Sequence, residues 1–508
     1  MTAAGRKNLS AVAAADGVLD RALDDRARRV APASIAAVCE RGQVQGVRTF
    51  GHPRGDAAVT TRDTVFRIAS MSKSFLAATV LALRDRGALD LHAPIREYVP
   101  QVVARHRGRA AVLTGDLLLS NRSGLGEDNA WVDRHLGASR EEIAALFAEG
   151  VLLAAAPGTV YQYSNVGQSL LGRAVEAVTG RPVEDAIRET LLEPLGLRRT
   201  AHVAGAYAPD ELARGFRTFD DGASFVSEAF VGSGALGCIG SMFSTIDDIA
   251  TWMWFLGSAF TDEPLAPDVL APASRIEMQQ PRTPIPVPSG MFDGRDVAAA
   301  GYGYGLFVEE DRRFGRVVQH SGGLPGFSAH MRWHAATGIG VVAFGNSDEF
   351  GARRVAGTAL HDVLGRIDAP SAEVHPWPET VAAAQAIDTA VRRSVSAAEY
   401  PFLAEHVLED VPAAVRDARL SAQLQEIGGL RDEQPPFAQR IVAAATEAEV
   451  RWRLAGERAD LRIEVRLVGT AEPLVQSVST AVVAPGESRT AEEPPSAADH
   501  HRVVLPRP

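Results

Sequence analysis

This 508-residue chain is poor in several things, and each scarcity excludes a class of protein. It has only two cysteines, Cys39 and Cys238, far apart and outside any C-x-x-C pair. Neither a disulfide framework nor a zinc ribbon is therefore supported. Positive charge is in deficit: 52 Lys and Arg stand against 63 Asp and Glu, for a net charge of −11. That argues against nucleic acid or an anionic membrane as a partner. No apolar run is long enough to span a bilayer. The first thirty residues lack an uninterrupted apolar stretch, because Asp16, Asp20, Asp24 and Asp25 break it up. They do not read as a secretory signal, and a cytoplasmic protein is the expectation.

Catalytic signatures are missing too. There is no G-x-S-x-G elbow and no H-E-x-x-H. His330 and His334 are four apart, but on a strand candidate, which does not suit a zinc pair. "GYGYGL" is glycine-rich but lacks the Lys-Ser/Thr of a P-loop. No metal and no cofactor is called for.

What is present is a soluble-type composition, 46% hydrophobic and 23% charged, over a length that suggests two to four domains. Residues 9–29 read as an amphipathic helix and "ASIAAVCERGQVQGVRTFG" as a hairpin. "SKSFLAATVLALRDRG" is a helix apolar nearly all round, hence interior, stopping at Gly87. "SNVGQSLLGRAVEAVTGRP" and "FSTIDDIATWMWFLG" are further helices, the second capped by Ser244 or Thr245. Residues 301–346 hold three strand candidates. Strands near both ends of the first 365 residues, with helices between, predict an α+β fold: an antiparallel sheet closed by its N- and C-terminal parts around an inserted helical region. After a linker at 366–377 the character changes. Residues 378–396 and 411–427 read as helices, and "EVRWRL" and "LRIEVRLV" alternate as paired strands, with "PLVQSVSTAVV" as a third. This predicts a small α+β domain over 378–484, similar in element order to a nuclear-transport-factor-like cone. A disordered tail is expected over 485–508.

Three stretches carry candidate chemistry. Ser70 and Lys73 in "FRIASMSKSFLAA" lie three apart, on one face of a helix. A serine hydroxyl needs a base to become a nucleophile, and a lysine serves if burial lowers its pKa. The same pair also suits a plain helix cap. In "PGTVYQYSNVGQSLLG", Tyr163 and Asn165 precede a helix. The tyrosine can shuttle a proton if cations lower its pKa, and the asparagine can bind a substrate carbonyl or hold the lysine. In "VVQHSGGLPGFSAH", His320 lies on a strand with Gly322 and Gly323, and glycines there permit close approach of a ligand.

These motifs in this order resemble the serine β-lactamase and penicillin-binding-protein superfamily. More narrowly the chain resembles the class C branch: class C β-lactamases, D,D-carboxypeptidases, D-aminopeptidases and family VIII esterases. The likeness covers roughly residues 20–365 and includes "LLLSNRSGLG", "EPLGLRRT" and "GSMFSTIDDIATW". It implies the β-lactamase/transpeptidase-like fold and an acyl-enzyme on Ser70. Lys73 and Tyr163 would move protons, Asn165 would position substrate and lysine, and His320 would take the place of the third-motif lysine. The oxyanion would sit between the Ser70 and Gly323 N–H groups.

The third motif reads His-Ser-Gly where a lysine would supply a permanent cation for a substrate carboxylate. A histidine is mostly neutral at pH 7. The resemblance therefore implies a serine hydrolase acting on an ester or a small amide or peptide bond. The alternatives are a thioesterase or peptide cyclase, a weak β-lactamase, or, last, a non-catalytic binding protein. The partner implied is a small molecule, not nucleic acid or membrane. The C-terminal domain is left to cap the cleft, dimerise or only stabilise, with a homodimer through it among the expectations. Pocket walls are expected from residues 122–150, 203–236 and 282–300.

Overall fold

The computed structural model describes residues 15, 17–287, 291–292, 295–485 and 497–506. The chain divides into two compact units, one running up to Asp311 and resuming over Arg316–Ala369, the other comprising Arg312–Gly315 and the chain from Pro370 on. The first is built on an antiparallel sheet. Its principal strands are β1 (Ala33–Glu40), β2 (Gln43–Gly51), β3 (Thr283–Ile285), β4 (Arg295–Tyr302), β5 (Phe307–Asp311), β6 (Gly315–Leu324), β7 (Phe327–His334) and β8 (Ile339–Gly345). Their spatial order is β3-β4-β5-β6-β7-β8-β1-β2.

Chain topology follows from β1. Its sequence, "ASIAAVCE", is small or β-branched at almost every position, and all but its last residue are buried. Such a strand fits only where both faces are covered. It pairs with β2 on one side and with β8 on the other, Ala36 standing opposite Ala343. The N-terminal hairpin is thereby sealed to the C-terminal strands, as the segregation of strands in the sequence predicts. Everything between β2 and β3 forms the helical insertion.

Four helices matter here: α1 (Ser72–Asp85), α2 (Asn129–His135), α3 (Asn165–Thr179) and α4 (Ile246–Gly257). Helix α1 is the axis of the core, buried at every position from Ser72 to Leu83. Phe75 stacks on Trp252 of α4 at 3.9 Å, and the Trp252 indole N–H donates to Ser74 Oγ at 3.0 Å. The helix ends as the sequence predicts, with Gly87 at φ 72°. Helix α3 likewise stops at Gly180, φ 67°, and the Thr245 side chain caps α4. Among the described residues no helix is long and apolar enough to cross a membrane.

The second unit holds a four-stranded antiparallel sheet, β9 (Ile441–Ala443), β10 (Glu449–Ala455), β11 (Asp460–Leu467) and β12 (Val475–Val483), in that order. Val450, Trp452, Leu454, Leu461, Ile463 and Val465 are fully buried on one face. Helix α5 (Pro378–Arg392) packs its Ala384, Ile387 and Val391 into that cluster. At the centre Asp388 accepts two bonds from the Arg440 guanidinium, at 2.6 and 2.7 Å, and one from the Trp452 indole at 2.9 Å. Period-two alternation marks β10 and β11 in the sequence; β9 is too short to show it.

One expectation needs correcting. Within the expected linker, Glu373–Val374 form a strand paired in parallel with Arg502–Val503, inside the tail expected to be disordered. The Arg502 guanidinium meets Glu373 at 2.9 Å, and His501 Nδ1 bonds the Ala444 carbonyl at 2.9 Å. A pair of valines and one ion pair give this short segment enough to hold, which the polar composition around it conceals. Residues 486–496 of that tail lie outside the described residues.

Candidate active site

The three motifs meet at one cleft. Ser70 lies on a tight turn, Ala69–Met71, that leads into α1. Ala69 has φ 47°, a left-handed conformation that costs a residue with a Cβ about 1–2 kcal/mol. The strain sits immediately before the candidate nucleophile. It is retained because the surrounding core over-determines the turn: Ile68, Ala69 and Met71 are all buried.

Lys73, one turn along the same helix, has no exposed surface. Its ammonium nitrogen lies 3.0 Å from Ser70 Oγ and 3.0 Å from the Ile239 carbonyl. It also sits 4.9 Å from the centroid of the Tyr163 ring. Burial drives the Lys73 pKa down from 10.5 to about 7, against the opposing negative potential of Asp128, Asp133 and Cys238. A lysine in this state is a free amine in a substantial fraction near neutral pH, which is what proton abstraction from a serine requires.

Tyr163 lines the cleft beside Ser70, with its ring facing the Lys73 ammonium. From sequence, a shuttle role for Tyr163 requires cations that lower its pKa; in the structure the shift runs the other way. Burial pushes the phenol well above its ordinary value, outweighing the opposing effect of the Ser70 hydroxyl, while Tyr161, Asp128 and Asp133 push the same way as burial. Tyr163 is therefore a neutral phenol, a donor rather than a base.

His320 is buried on β6, its ring centroid 6.3 Å from that of Tyr163. Burial first, then the nearby Lys73 charge, lowers its pKa from 6.5 to about 3. It is neutral. Its Nδ1 lies 2.6 Å from the Ser321 carbonyl, which can only accept, so Nδ1 carries the proton and Nε2 accepts from the Tyr302 hydroxyl at 3.3 Å. No fixed cation stands where the related motif has lysine.

The two glycines do different things. A Cβ at Gly322 would fall 2.0 Å from the Ile68 carbonyl oxygen, so only glycine lets β6 pass this close to the Ser70 turn. A Cβ at Gly323 would meet nothing within 4 Å; the residue opens onto the cleft beside Ser70.

Asn165 behaves differently from the expectation that it holds the lysine. Its amide NH2 donates to Asp128 Oδ1 at 2.9 Å and to Asn129 Oδ1 at 2.7 Å, and the hydrogen bonds of the Lys73 ammonium go to Ser70 and Ile239 rather than to the Asn165 oxygen. The lysine takes the Ile239 carbonyl instead. Asp128 and Ile239 are the residues the motif reading misses. Nothing local in "GEDNAW" or "GCIGSM" marks them, because their importance comes from where the insertion folds back. Asn121 is a third such residue: its side-chain oxygen accepts from the Ser164 N–H at 3.2 Å.

The cleft encloses about 840 Å³, and each of the three segments expected to wall it contributes. Glu127, Asn129 and Asp133 line one side, Arg217 another, and Ile285 and Ala300 a third, while Tyr161, Tyr163 and Phe307 form an aromatic wall next to Ser70. Tyr163 and Phe307 lie nearly parallel with centroids 6.4 Å apart. Among the described residues no group of His, Cys, Asp and Glu is arranged to hold a metal ion.

Comparisons agree with this architecture. The chain is 34% identical over 211 residues to esterase EstB of Burkholderia gladioli, a match spanning 38% of this chain and about half, 52%, of that protein. A D-amino acid amidase from Ochrobactrum anthropi SV3 superposes with a TM-score of 0.53 at 27% identity, covering 70% of this chain and 98% of the other. An octameric penicillin-binding protein homologue from Pyrococcus abyssi superposes at 0.58 over 91% of this chain and 99% of its own; at 20% identity that likeness speaks for the fold alone. Residues 19–365 match the Beta-lactamase family model, and the chain belongs to that family.

Proposed function

We propose that this protein is a serine hydrolase that forms an acyl-enzyme on Ser70 and cleaves an ester or a small amide that carries no carboxylate. The observation that carries this reading is the buried Lys73 amine 3.0 Å from Ser70 Oγ, on the wall of a cleft large enough for a small molecule. Neutral Lys73 takes the Ser70 proton as Oγ bonds to the acyl carbon. The negative charge that develops on the acyl oxygen falls to the backbone N–H groups of Ser70 and Gly323. Tyr163, a neutral phenol on the cleft wall beside Ser70 and Lys73, hands its proton to the leaving group and is replenished from protonated Lys73. A water molecule then repeats the sequence on the ester carbonyl, releasing the acid and restoring Ser70.

Two features support the narrower substrate class. His320 is uncharged, so the cleft offers no cation at the third motif for a substrate carboxylate. The wall of Tyr161, Tyr163 and Phe307 favours an apolar acyl or leaving group. The similarity to an esterase and to a D-amino acid amidase supports the same two bond types.

The test is a panel of p-nitrophenyl esters, D- and L-amino-acid amides, nitrocefin and peptidyl thioesters, run on wild type and Ser70→Ala. Ester or amide turnover abolished in the variant is the expected result. Full activity in Ser70→Ala would overturn the mechanism. Cyclic product from thioesters would assign acyl transfer, and preferential nitrocefin turnover would assign β-lactamase action.

A further inference from the structure

Asp128 is a hub that the proposed reaction does not yet use. It stands immediately before α2, yet its carboxylate serves α3. Oδ1 accepts from the Asn165 N–H at 2.8 Å and from the Asn165 amide at 2.9 Å. Oδ2 accepts from the Val166 N–H at 2.9 Å and from Ser164 Oγ at 2.9 Å. Ser164 Oγ in turn accepts from the Gly167 N–H at 3.1 Å, so one carboxylate and one hydroxyl between them satisfy the first N–H groups of α3. Tyr163 is the residue next to this clasp. With the Asn121 side chain holding the Ser164 N–H from the other side, the backbone on which the phenol hangs has little freedom.

The same carboxylate acts on the lysine. Of the groups that oppose the effect of burial on Lys73, Asp128 is the largest contributor, ahead of Asp133 and Cys238. His320 and Tyr163 also face Lys73; the first is neutral and the second is protonated. Arg67 and Arg134 act on Asp133, whose own pKa burial raises to about 6.

We propose that Asp128 is a positioning residue for the reaction: one carboxylate that holds the Tyr163-Ser164-Asn165 turn against the nucleophile and supplies the negative charge that balances Lys73. The inference rests on the acyl-enzyme reading above. It has a charge part, read by the pH limb, and a geometry part, read by kcat, and two variants weigh them differently. Asp128→Asn loses the charge and also turns one accepting oxygen into an NH2 donor that faces the donors at the start of α3, so the clasp loosens with it. Lys73 then loses its main counter-charge and gives up its proton at lower pH. Asp133 ionises more readily once Asp128 is neutral, which offsets part of this, and Asp133→Asn is the control for it. Asp128→Glu keeps the charge and displaces the carboxylate by one methylene.

The readouts are kcat on a p-nitrophenyl ester, the pH profile of kcat/KM, and the pH dependence of Ser70 labelling by a fluorophosphonate. For Asp128→Asn the acidic limb moves down by about half a pH unit or more. Its kcat falls about 10- to 100-fold, the scale of a misplaced catalytic group. For Asp128→Glu the kcat falls while the limb stays. A limb in Asp128→Asn that coincides with wild type overturns the proposal. If that variant does not fold, wild-type kcat in Asp128→Glu overturns it equally. Failure of the underlying reading looks different: wild-type Ser70 itself would not label, or Ser70→Ala would label as well as wild type.

Discussion

Lys73→Met should stabilise the protein while abolishing its activity, and the gain should depend on pH in a defined way. Methionine fills nearly the same volume without a charge. The folded wild type binds a proton at Lys73 with a pKa of about 7, whereas the ordinary lysine value is 10.5. At about 1.36 kcal/mol per pH unit, that difference is a burial cost of about 5 kcal/mol at pH 7 and below. The variant also loses a donor to the Ile239 carbonyl, which costs about 1–3 kcal/mol. The net expectation is a gain of about 2–4 kcal/mol at pH 7.

Between pH 7 and 10.5 the unfolded wild-type chain binds the proton that the folded chain has released. Wild-type stability therefore rises with pH across this window, and the advantage of the variant shrinks by about 1.4 kcal/mol per unit, reaching about zero near pH 9. Chemical denaturation and thermal scans of both proteins at pH 6, 7, 8 and 9 measure this directly. A stability difference that is constant with pH, or a variant less stable than wild type at pH 7, would refute the idea of a neutral, desolvated Lys73. The same pKa gives a kinetic corollary: wild-type kcat/KM rises with pH through about 7, because the amine is the active form.

Three further outcomes test other parts of the structure. Tyr163→Phe removes the phenol but keeps the ring beside Lys73, and should lower kcat about 10²- to 10⁴-fold with the melting temperature little changed, as read by ester turnover and thermal scans. Gly322→Ala would put a Cβ 2.0 Å from the Ile68 carbonyl, pushing β6 from the Ser70 turn; it should lose most activity and about 1–3 kcal/mol of stability, whereas Gly323→Ala, facing open space, should retain the fold and change KM. In the second unit, Asp388→Ala strands the buried Arg440 guanidinium and should cost about 3–5 kcal/mol, measured as loss of the thermal transition of residues 370–508.

How much of this is legible in the sequence depends on the range of the interaction that decides it. Helix α1 is legible because its apolar run and Gly87 are local. Strands β10 and β11 are legible because Val450, Trp452 and Leu454 alternate with polar residues toward solvent. The serine, lysine, tyrosine and histidine of the cleft are legible as motifs at a fixed order. What is hidden is set by contacts across the insertion: Asp128 reaching α3 from 37 residues away, the Ile239 carbonyl on Lys73, and the sign of the Tyr163 shift, which burial decides against any neighbouring cation. The pairing of Arg502–Val503 with Glu373–Val374 is hidden for the same reason, since each half alone is too short to signal a strand.

A different kind of signal is available in "SMSKSFLAATVLALRD", and it is one of conflict. Twelve consecutive residues from Ser72 to Leu83 are buried, and one of them is a lysine. Folding alone would never place it there, because an ammonium group on an all-round apolar helix costs more than any hydrogen bond to Ser70 and Ile239 returns. Three residues before that helix begins, at Ala69, the backbone takes a left-handed conformation where glycine would be cheaper. Both violations fall within four residues of Ser70, and both are ones that a sequence selected for stability would remove. Two such rules broken within four residues, beside a serine that lines the cleft, are the physical mark of a site kept for its chemistry. That is why the Lys73→Met experiment is informative even before a substrate is found: a protein that becomes more stable when its proposed base is removed had been holding that base against the preference of its own fold.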